Sequence, residues 1–193
     1  MSDAVDPSLR NRNRMMLVTL VAAFLGTFAL AGALRYSGWR PEGLRNKGEL
    51  LEPPGDLRGV VPQRIAGGDY RWQPEQRTWR VLVAPPVGCG APCDRLAGDL
   101  DKVWQLMGKD ADRVHVLWVG PPPPRASTIA TLQPLSPSAP LLAALPRHAS
   151  AQIPSQGVPV YVVDPNGFVI LRYAPGADPG DLRTDLARLL KLR

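Results

Sequence analysis

The segment that most constrains the fold is residues 81–93, which read VLVAPPVGCGAPC. Its apolar start, bounded by prolines and glycines, is typical of a buried strand. From 94 to 107 the apolar residues recur at helical spacing, which predicts a helix. The two cysteines of the chain therefore lie on a turn between a strand and a helix. Cys89 comes just ahead of this helix, and Cys93 lies in its first turn.

This position gives the two thiols several chemical options. The unpaired N–H groups and the dipole at a helix N-terminus stabilise a thiolate, which is the form that attacks disulfides and binds metals. Cα atoms four residues apart on a helix are roughly 6 Å from one another. A disulfide spans about 4.4–6.8 Å, so Cys89 and Cys93 can form one. The same sulfurs can instead bind a soft metal ion, Cu(I) being favoured by thiolates. A purely structural disulfide, or two buried cysteines, is the alternative.

A second constraint is the uncharged run of twenty residues from Met15 to Leu34. At 1.5 Å per residue a helix of this length spans about 30 Å, the thickness of the hydrocarbon core of a bilayer. The run predicts one transmembrane helix that anchors the chain in the inner membrane. The alternative is a signal peptide cleaved after a small residue such as Ala31. The run is longer than the apolar region of most signal peptides, which favours the anchor.

The chain is thereby divided into four segments. We expect a cytoplasmic tail at 1–14, the transmembrane helix at 15–34, a Pro/Gly-rich linker at 35–62 and a folded domain at 63–193. Long domains cross membranes largely regardless of charge, and a reactive cysteine pair suits an oxidising compartment. We therefore expect a single-pass protein whose C-terminal domain is periplasmic. The net charge of +6 arises mainly from scattered arginines that are not interleaved with aromatic residues, which argues against nucleic-acid binding.

The folded domain has the predicted order strand, cysteine turn, helix, strand, loop, hairpin, helix. The first expected elements are a strand at 78–84 with a hairpin partner near 63–72, the helix at 94–107 and a strand at 113–119. A Pro/Ser/Ala-rich insertion follows at 125–156, with a short helix at 139–145. Strands at 158–163 and 168–173 are joined by a turn at 164–167, and Asp178 caps a last helix with Pro179 at its first position.

This order of elements, with two cysteines opening the first helix, resembles the thioredoxin fold. The resemblance implies an α/β, thioredoxin-like domain tethered by one N-terminal transmembrane helix. It also implies a role for Pro159, in the sequence Gly157-Val158-Pro159, because many thioredoxin-like proteins carry there a cis proline that packs against the active-site sulfurs. An ordinary trans proline at a strand edge is the alternative.

Three features also resemble the Sco/SenC family: the Cys-x-x-x-Cys spacing, the single anchor and the phrase YVVDPNG at 161–167. Members of that family are membrane-anchored, thioredoxin-fold copper proteins that help to assemble the copper centre of cytochrome c oxidase. The resemblance implies copper as the cofactor, with Cys89 and Cys93 as ligands. It also implies that the partner is a respiratory oxidase subunit or another assembly factor.

The chain departs from the Sco pattern at the third copper ligand. Sco proteins place a histidine five residues before the tyrosine of this phrase, but here that position is Gln156. An amide is a poor copper ligand beside imidazole. The family's Asp-Pro-x-x-Asp stretch is also replaced, by glycine and four prolines at 120–124. Of the two histidines, His148 in the insertion is the candidate ligand. His115 alternates with valines and is expected to be a solvated or satisfied strand residue.

Three functions remain open. The first is a Sco-like factor that uses its cysteines for copper handling or for thiol reduction during cytochrome oxidase assembly. The second is a general periplasmic thiol–disulfide oxidoreductase, in which the more exposed Cys89 attacks and Cys93 resolves the mixed disulfide. The third is a non-catalytic thioredoxin-fold interaction module with a structural disulfide. We adopt the first, because the anchor, the cysteine spacing and the hairpin phrase agree.

Overall fold

The structure is a computed structural model, and it describes residues 7–37, 46–148 and 157–191, with side chains from residue 11 onward. The chain divides into two compact units, Met1–Arg45 and Asn46–Arg193. The second unit begins within the predicted linker at 35–62, so the end of that segment belongs to the folded domain.

The first unit contains a single described helix, α1 (Pro7–Tyr36). The large apolar side chains between Met15 and Leu34 are exposed, and none of them packs into a protein core. A helix that is apolar all round satisfies its backbone internally and suits a lipid environment. Residues Asn11–Tyr36 are long and apolar enough to cross a membrane, so α1 is a candidate span. Because the helix begins at Pro7, it includes more than half of the predicted tail at 1–14.

The described part of the second unit is built on a six-stranded mixed sheet. The strands are β1 (Glu49–Asp56), β2 (Trp79–Val83), β3 (Val114–Val119), β4 (Leu132–Leu135), β5 (Val160–Val163) and β6 (Phe168–Tyr173). Their order across the sheet is β1-β6-β5-β2-β3-β4. Strands β2, β3 and β4 are parallel, whereas β5 and β6 form an antiparallel hairpin and β1 is antiparallel to β6. The helices are α2 (Ala91–Gln105), α3 (Ala139–Ala143) and α4 (Pro179–Leu189).

The sheet separates two hydrophobic clusters, because side chains alternate between the faces of each strand. We call the first the cysteine face: it includes Val81, Val83, Val116, Val158, Val160, Cys89 and Cys93, with Leu100 of α2 and Leu186 of α4 packed on them. We call the second the opposite face: it includes Leu82, Leu117, Tyr161 and Val163, covered by Tyr70, Trp72, Leu141 and Leu145. Helices α2 and α4 therefore cover the face that carries the disulfide.

The prediction that residues 63–72 form a hairpin with β2 is wrong. Both edges of β2 are occupied, by β3 on one side and by β5 on the other. The segment makes an isolated bridge between Arg64 and Leu135 at the far edge of the sheet. Its aromatic residues Tyr70 and Trp72 are instead buried on the opposite face. Burial of these two rings removes apolar surface from water and so stabilises the fold.

The edge strands β1 and β4 lie in segments that are predicted as a linker and an insertion. Both contain prolines, Pro53 and Pro54 in β1 and Pro134 in β4. Proline cannot donate a ladder hydrogen bond, so it is tolerated at sheet edges. Proline therefore argues against a strand when the sequence is read alone, but in the structure it marks these two strands as edge strands.

The hairpin and the last helix confirm the predictions made from local chemistry. In the turn, Oδ1 of Asp164 accepts a 2.8 Å hydrogen bond from the N–H of Phe168, and Gly167 has a φ of 100°. At the start of α4, Oδ1 of Asp178 accepts a 2.8 Å hydrogen bond from the N–H of Gly180. Pro179 occupies the first helical position. These turns depend on neighbouring residues alone, which is why the sequence predicts them.

Candidate redox site at the N-terminus of helix α2

Cys89 and Cys93 form a disulfide at the start of α2. Their sulfurs are 2.10 Å apart and their Cα atoms 5.7 Å apart. Strand β2 ends before two prolines, and Gly88 and Gly90, with φ of 77° and 57°, turn the chain into the helix. The N–H of Cys93 donates a 2.9 Å hydrogen bond to the carbonyl of Gly90, the N-cap residue. The predicted placement of both cysteines relative to the helix is confirmed.

The disulfide lies just beneath an exposed loop. Cys89 is 8% exposed and Cys93 is 5% exposed, so the expected difference in exposure between them is small. Val87, Gly88, Gly90 and Ala91 around Cys89 are all exposed. Both cysteines are therefore buried, although the residues on either side of Cys89 are exposed.

A groove of about 140 Å³ adjoins the disulfide. Its residues are Pro92, Arg95, Leu96, Asp99 and Leu100 of α2, Gly157, Val158, Val160 and Tyr173 from β5, β6 and the residues before β5, and Ala174, Gly176, Ala177, Asp178, Pro179 and Leu182 at the start of α4. Neither cysteine lines the groove, but Pro92 directly precedes Cys93, so the groove begins one residue from the disulfide. Several lining residues belong to stretches that the sequence analysis names, such as Pro92, Gly157 and Asp178, but their convergence on one groove depends on the packing of β6 and α4 beside α2.

Comparisons with known proteins agree with this architecture. A family model described as "Transmembrane-like, thioredoxin-like, C-terminal domain" matches residues 79–193, more than half of the chain. The chain belongs to this family. The match runs from β2 to the end of α4 and so contains both cysteines and the groove. No curated protein sequence matches the chain.

Solved structures of Sco proteins share the thioredoxin-like fold. BsSco, a member of the Sco family of cytochrome c oxidase assembly proteins, is 12% identical, with a TM-score of 0.51 over 77% of this chain and 97% of that one. A SCO1/SenC family lipoprotein from Bacillus anthracis str. Ames is 15% identical, with a TM-score of 0.52 over 73% and 99%. Apo Sco1 from Thermus thermophilus is 18% identical, with a TM-score of 0.50 over 77% and 97%. At these identities the likeness establishes the fold.

The thioredoxin-like domain does not hold Pro159 as a cis proline. Within the described residues the cis peptide bond is Glu52–Pro53, so the Val158–Pro159 bond is trans and the implied cis proline is wrong. Gly157, with a φ of 115°, turns the chain ahead of β5, and a trans bond then brings Val158 into the cysteine-face cluster. A role of Pro159 in the chemistry stays a prediction.

His148 of the thioredoxin-like domain lies away from the cysteines. The residues just before it belong to the opposite face: Leu145 is in that cluster, and the carbonyl of Pro146 accepts a 3.0 Å hydrogen bond from the hydroxyl of Tyr161. The sheet thus stands between His148 and the disulfide. Burial lowers the pKa of His148. The structure does not bring this predicted ligand together with Cys89 and Cys93.

The described side chains do not fit a three-ligand copper site of the Sco kind. In residues 11–37, 46–148 and 157–191, no group of three or more His, Cys, Asp or Glu side chains is placed to hold a metal ion. Gln156, which stands at the position of the Sco histidine, lies outside the described residues. The site as described consists of the two disulfide-bonded sulfurs.

The other histidine, His115, belongs to a hydrogen-bonded network on the opposite face. Its Nδ1 is 2.9 Å from the hydroxyl of Tyr70, which accepts a 3.0 Å hydrogen bond from Nε of the buried Arg80. Burial, and then the positive charges of Arg80 and Arg64, lower the pKa of His115. The prediction that His115 is a satisfied strand residue is confirmed.

Proposed function

We propose that this protein is a membrane-anchored thiol–disulfide exchange factor that acts through Cys89 and Cys93 on cysteines of a partner protein. Its Sco-like fold supports a more specific task, which is to keep the thiols of a respiratory oxidase subunit reduced for metal insertion. The observation that carries the proposal is the disulfide at the N-terminus of α2, next to an open groove. Electrostatic stabilisation of a thiolate is strongest at that end of a helix.

In the proposed reaction the reduced protein attacks a disulfide of the partner. The thiolate of Cys89 forms a mixed disulfide and releases one partner thiolate, which takes up a proton. The thiolate of Cys93 then attacks the sulfur of Cys89 and releases the second partner thiolate. Two electrons pass to the partner, and the chain is left with the disulfide that the structure contains. A dithiol reductant must then return the pair to its reduced form.

The burial of the sulfurs requires the loop at 85–90 to move during exchange. Cys89 is 8% exposed, but the residues on both sides of it are exposed glycines. Glycines allow the backbone to change conformation at low steric cost. A partner sulfur therefore reaches Cys89 by displacing a short loop, without opening the core between the sheet and α2.

The membrane anchor supports a location for this chemistry. The candidate span in α1 would hold the thioredoxin-like domain at a membrane surface. We propose the periplasmic side of the inner membrane, because a working disulfide is maintained in an oxidising compartment. An oxidase subunit that receives its metal on the same side would be within reach of the tethered domain.

The copper-handling form of the hypothesis would use the same two sulfurs in their reduced state. Two thiolates are a favourable ligand pair for Cu(I), but the described residues supply no third ligand. Thiol exchange needs only the two cysteines. We therefore place thiol exchange first and copper handling second.

Trapping experiments on the full chain in detergent micelles test the proposal. With Cys93→Ser, a partner or model disulfide should remain covalently attached to Cys89, whereas Cys89→Ser should trap none. The wild-type reduction potential, measured in dithiothreitol redox buffers, should lie above about −300 mV. A potential well below this value, together with no trapping by either variant, would establish the structural-disulfide alternative. Cu(I) titration of the reduced chain, with Cys89→Ser as the control, separates copper binding from exchange.

A further inference from the structure

The loop that carries Cys89 has no polar side chains. Residues 85–92 read PPVGCGAP, and none of their side chains contains nitrogen or oxygen. Val87 in this stretch is fully exposed, although its side chain is apolar. A partner segment that covers the disulfide can therefore be recognised there only by apolar contact and by backbone hydrogen bonds. Charge recognition must come from beyond this loop, where Asp94 and Arg95 are exposed in the first turns of α2.

Three charged residues line the groove, and two of them already have partners. The carboxylate of Asp99 lies 3.6 Å from Nζ of Lys102. The carboxylate of Asp178 caps α4 by accepting the hydrogen bond from the N–H of Gly180. Arg95 is exposed, and within the described part of the chain it has neither a hydrogen bond nor an ion pair. Arg95 is therefore the cation of the groove lining that is free to pair with a carboxylate of a partner segment.

The position of Arg95 relates this charge to the reacting sulfurs. Arg95 is two residues after Cys93 on the same helix, and it lines the groove together with Pro92 and Leu96. An extended peptide advances about 3.3 Å per residue. A side chain about two or three residues from a cysteine docked at the disulfide would thus come within reach of the guanidinium. Arginine is well suited to this role, since its planar fork binds carboxylates in a bidentate manner.

We propose that Arg95 is a specificity-determining residue, and that the groove takes a partner segment in which the reacting cysteine has an apolar neighbour and a nearby carboxylate. The inference rests on the proposed thiol exchange and names its substrate class. Arg95 would favour acidic over neutral or basic segments at the encounter and in the mixed disulfide. This preference should weaken as salt screens the exposed charges.

The test uses three synthetic peptides, each with one internal disulfide, that differ only by Asp, Asn or Lys three residues from the reacting cysteine. Stopped-flow measurements give the rate constant for their reduction by the reduced full chain in detergent at low salt. We expect the Asp peptide to react about fivefold faster than the Asn peptide. Arg95→Gln should abolish the difference, and Arg95→Glu should favour the Lys peptide. The control Arg183→Gln, an exposed arginine of α4 outside the groove, should retain the wild-type preference.

Failure of this inference can be distinguished from failure of the proposed function. Equal rates for the three peptides, or the same preference in Arg95→Gln as in wild type, would overturn the role of Arg95 while leaving thiol exchange established. If no peptide is reduced, the proposed function fails instead. In that case, fluorescence anisotropy measures how tightly the same peptides, with their cysteines replaced by serine, bind to the oxidised chain. This measurement tests the role of Arg95 without thiol exchange. Arg95-dependent preference for the Asp peptide supports it, and equal binding overturns it.

Discussion

The hydroxyl of Tyr173 donates a 2.7 Å hydrogen bond to Oδ2 of the buried Asp185. The same oxygen accepts hydrogen bonds of 2.7 and 2.9 Å from the N–H groups of Lys47 and Gly48. Tyr173 lines the groove, and Lys47 and Gly48 lead into the edge strand β1. One carboxylate on α4 thus ties the wall of the groove to the first residues of the folded domain. Burial, and then the bond to Asp185, raise the pKa of Tyr173, so its hydroxyl stays protonated as a donor.

Asp185→Asn should therefore destabilise the domain. The substitution removes the negative charge that three donors share at Oδ2. It also places an NH2 group where Oδ1 now lies 3.4 Å from Nη1 of Arg188, so that two donors would face each other. We expect a loss of about 1–3 kcal/mol in the free energy of unfolding. Urea titration of the full chain in detergent, followed by tryptophan fluorescence, measures it. The exposed Asp112→Asn is the matched control. An equal effect of both variants would show that the three hydrogen bonds carry no net stability.

Gly48→Ala should also destabilise the domain, through steric overlap with Tyr173. A Cβ at position 48 would lie 2.6 Å from Cζ of the tyrosine ring, well inside the range of normal contacts. Crowding of this kind typically costs about 1–3 kcal/mol. Gly59→Ala is the control, because a Cβ there meets no atom within 4 Å. The same urea titration compares the two variants. If Gly48→Ala is no worse than Gly59→Ala, the packing of Gly48 on Tyr173 is not a constraint.

Stability should fall as the pH drops below the usual pKa of histidine. Because burial and the nearby arginines lower the pKa of His115, the unfolded chain takes up its proton first, at about pH 6.5. Each further step down in pH favours the unfolded state until the folded imidazole is also protonated. Urea titrations at several pH values should show this decline, and His115→Gln should reduce it. Because burial lowers the pKa of His148 as well, His148→Gln measures the remaining part. A pH-independent wild type would contradict the prediction.

Reduction of the disulfide should leave the domain folded. The two cysteines are separated by only four positions, so the cross-link closes a very short loop. The chain-entropy estimate for such a loop is about 2 kcal/mol. The double variant Cys89→Ser/Cys93→Ser should therefore lose roughly that amount in a urea titration and keep its far-UV circular dichroism. An unfolded double variant at 25 °C would instead identify the disulfide as a structural staple.

The sequence predicts the site better than the sheet that carries it. The cysteine turn, the hairpin after Asp164 and the cap at Asp178 depend on local chemistry, and the structure confirms them. The neighbours of β2 depend on long-range pairing, which residues 63–72 alone do not reveal. Strands β1 and β4 are not predicted, because their prolines argue against strands. The prolines are accommodated because both strands lie at an edge of the sheet.

The ligand prediction fails for a related reason. Distance along the chain places His148 close to the hairpin, but only the three-dimensional order of the elements shows which face of the sheet it meets. Arg95 and Tyr173 were not singled out in the sequence, because neither stands in a recognisable motif. The fold makes them neighbours of the disulfide by packing β6 and the start of α4 beside α2.

The division of the sheet into two faces also sets a rule for engineering. Any imidazole meant to share an ion with the two sulfurs must replace a side chain on the cysteine face. In β5 that face carries Val160 and Val162, whereas in β2 it carries Val81 and Val83. Val158 meets that requirement, whereas no rotation of a side chain at 148 could. The face of the sheet that a strand position points to must therefore be chosen before the coordination geometry of a third donor is designed.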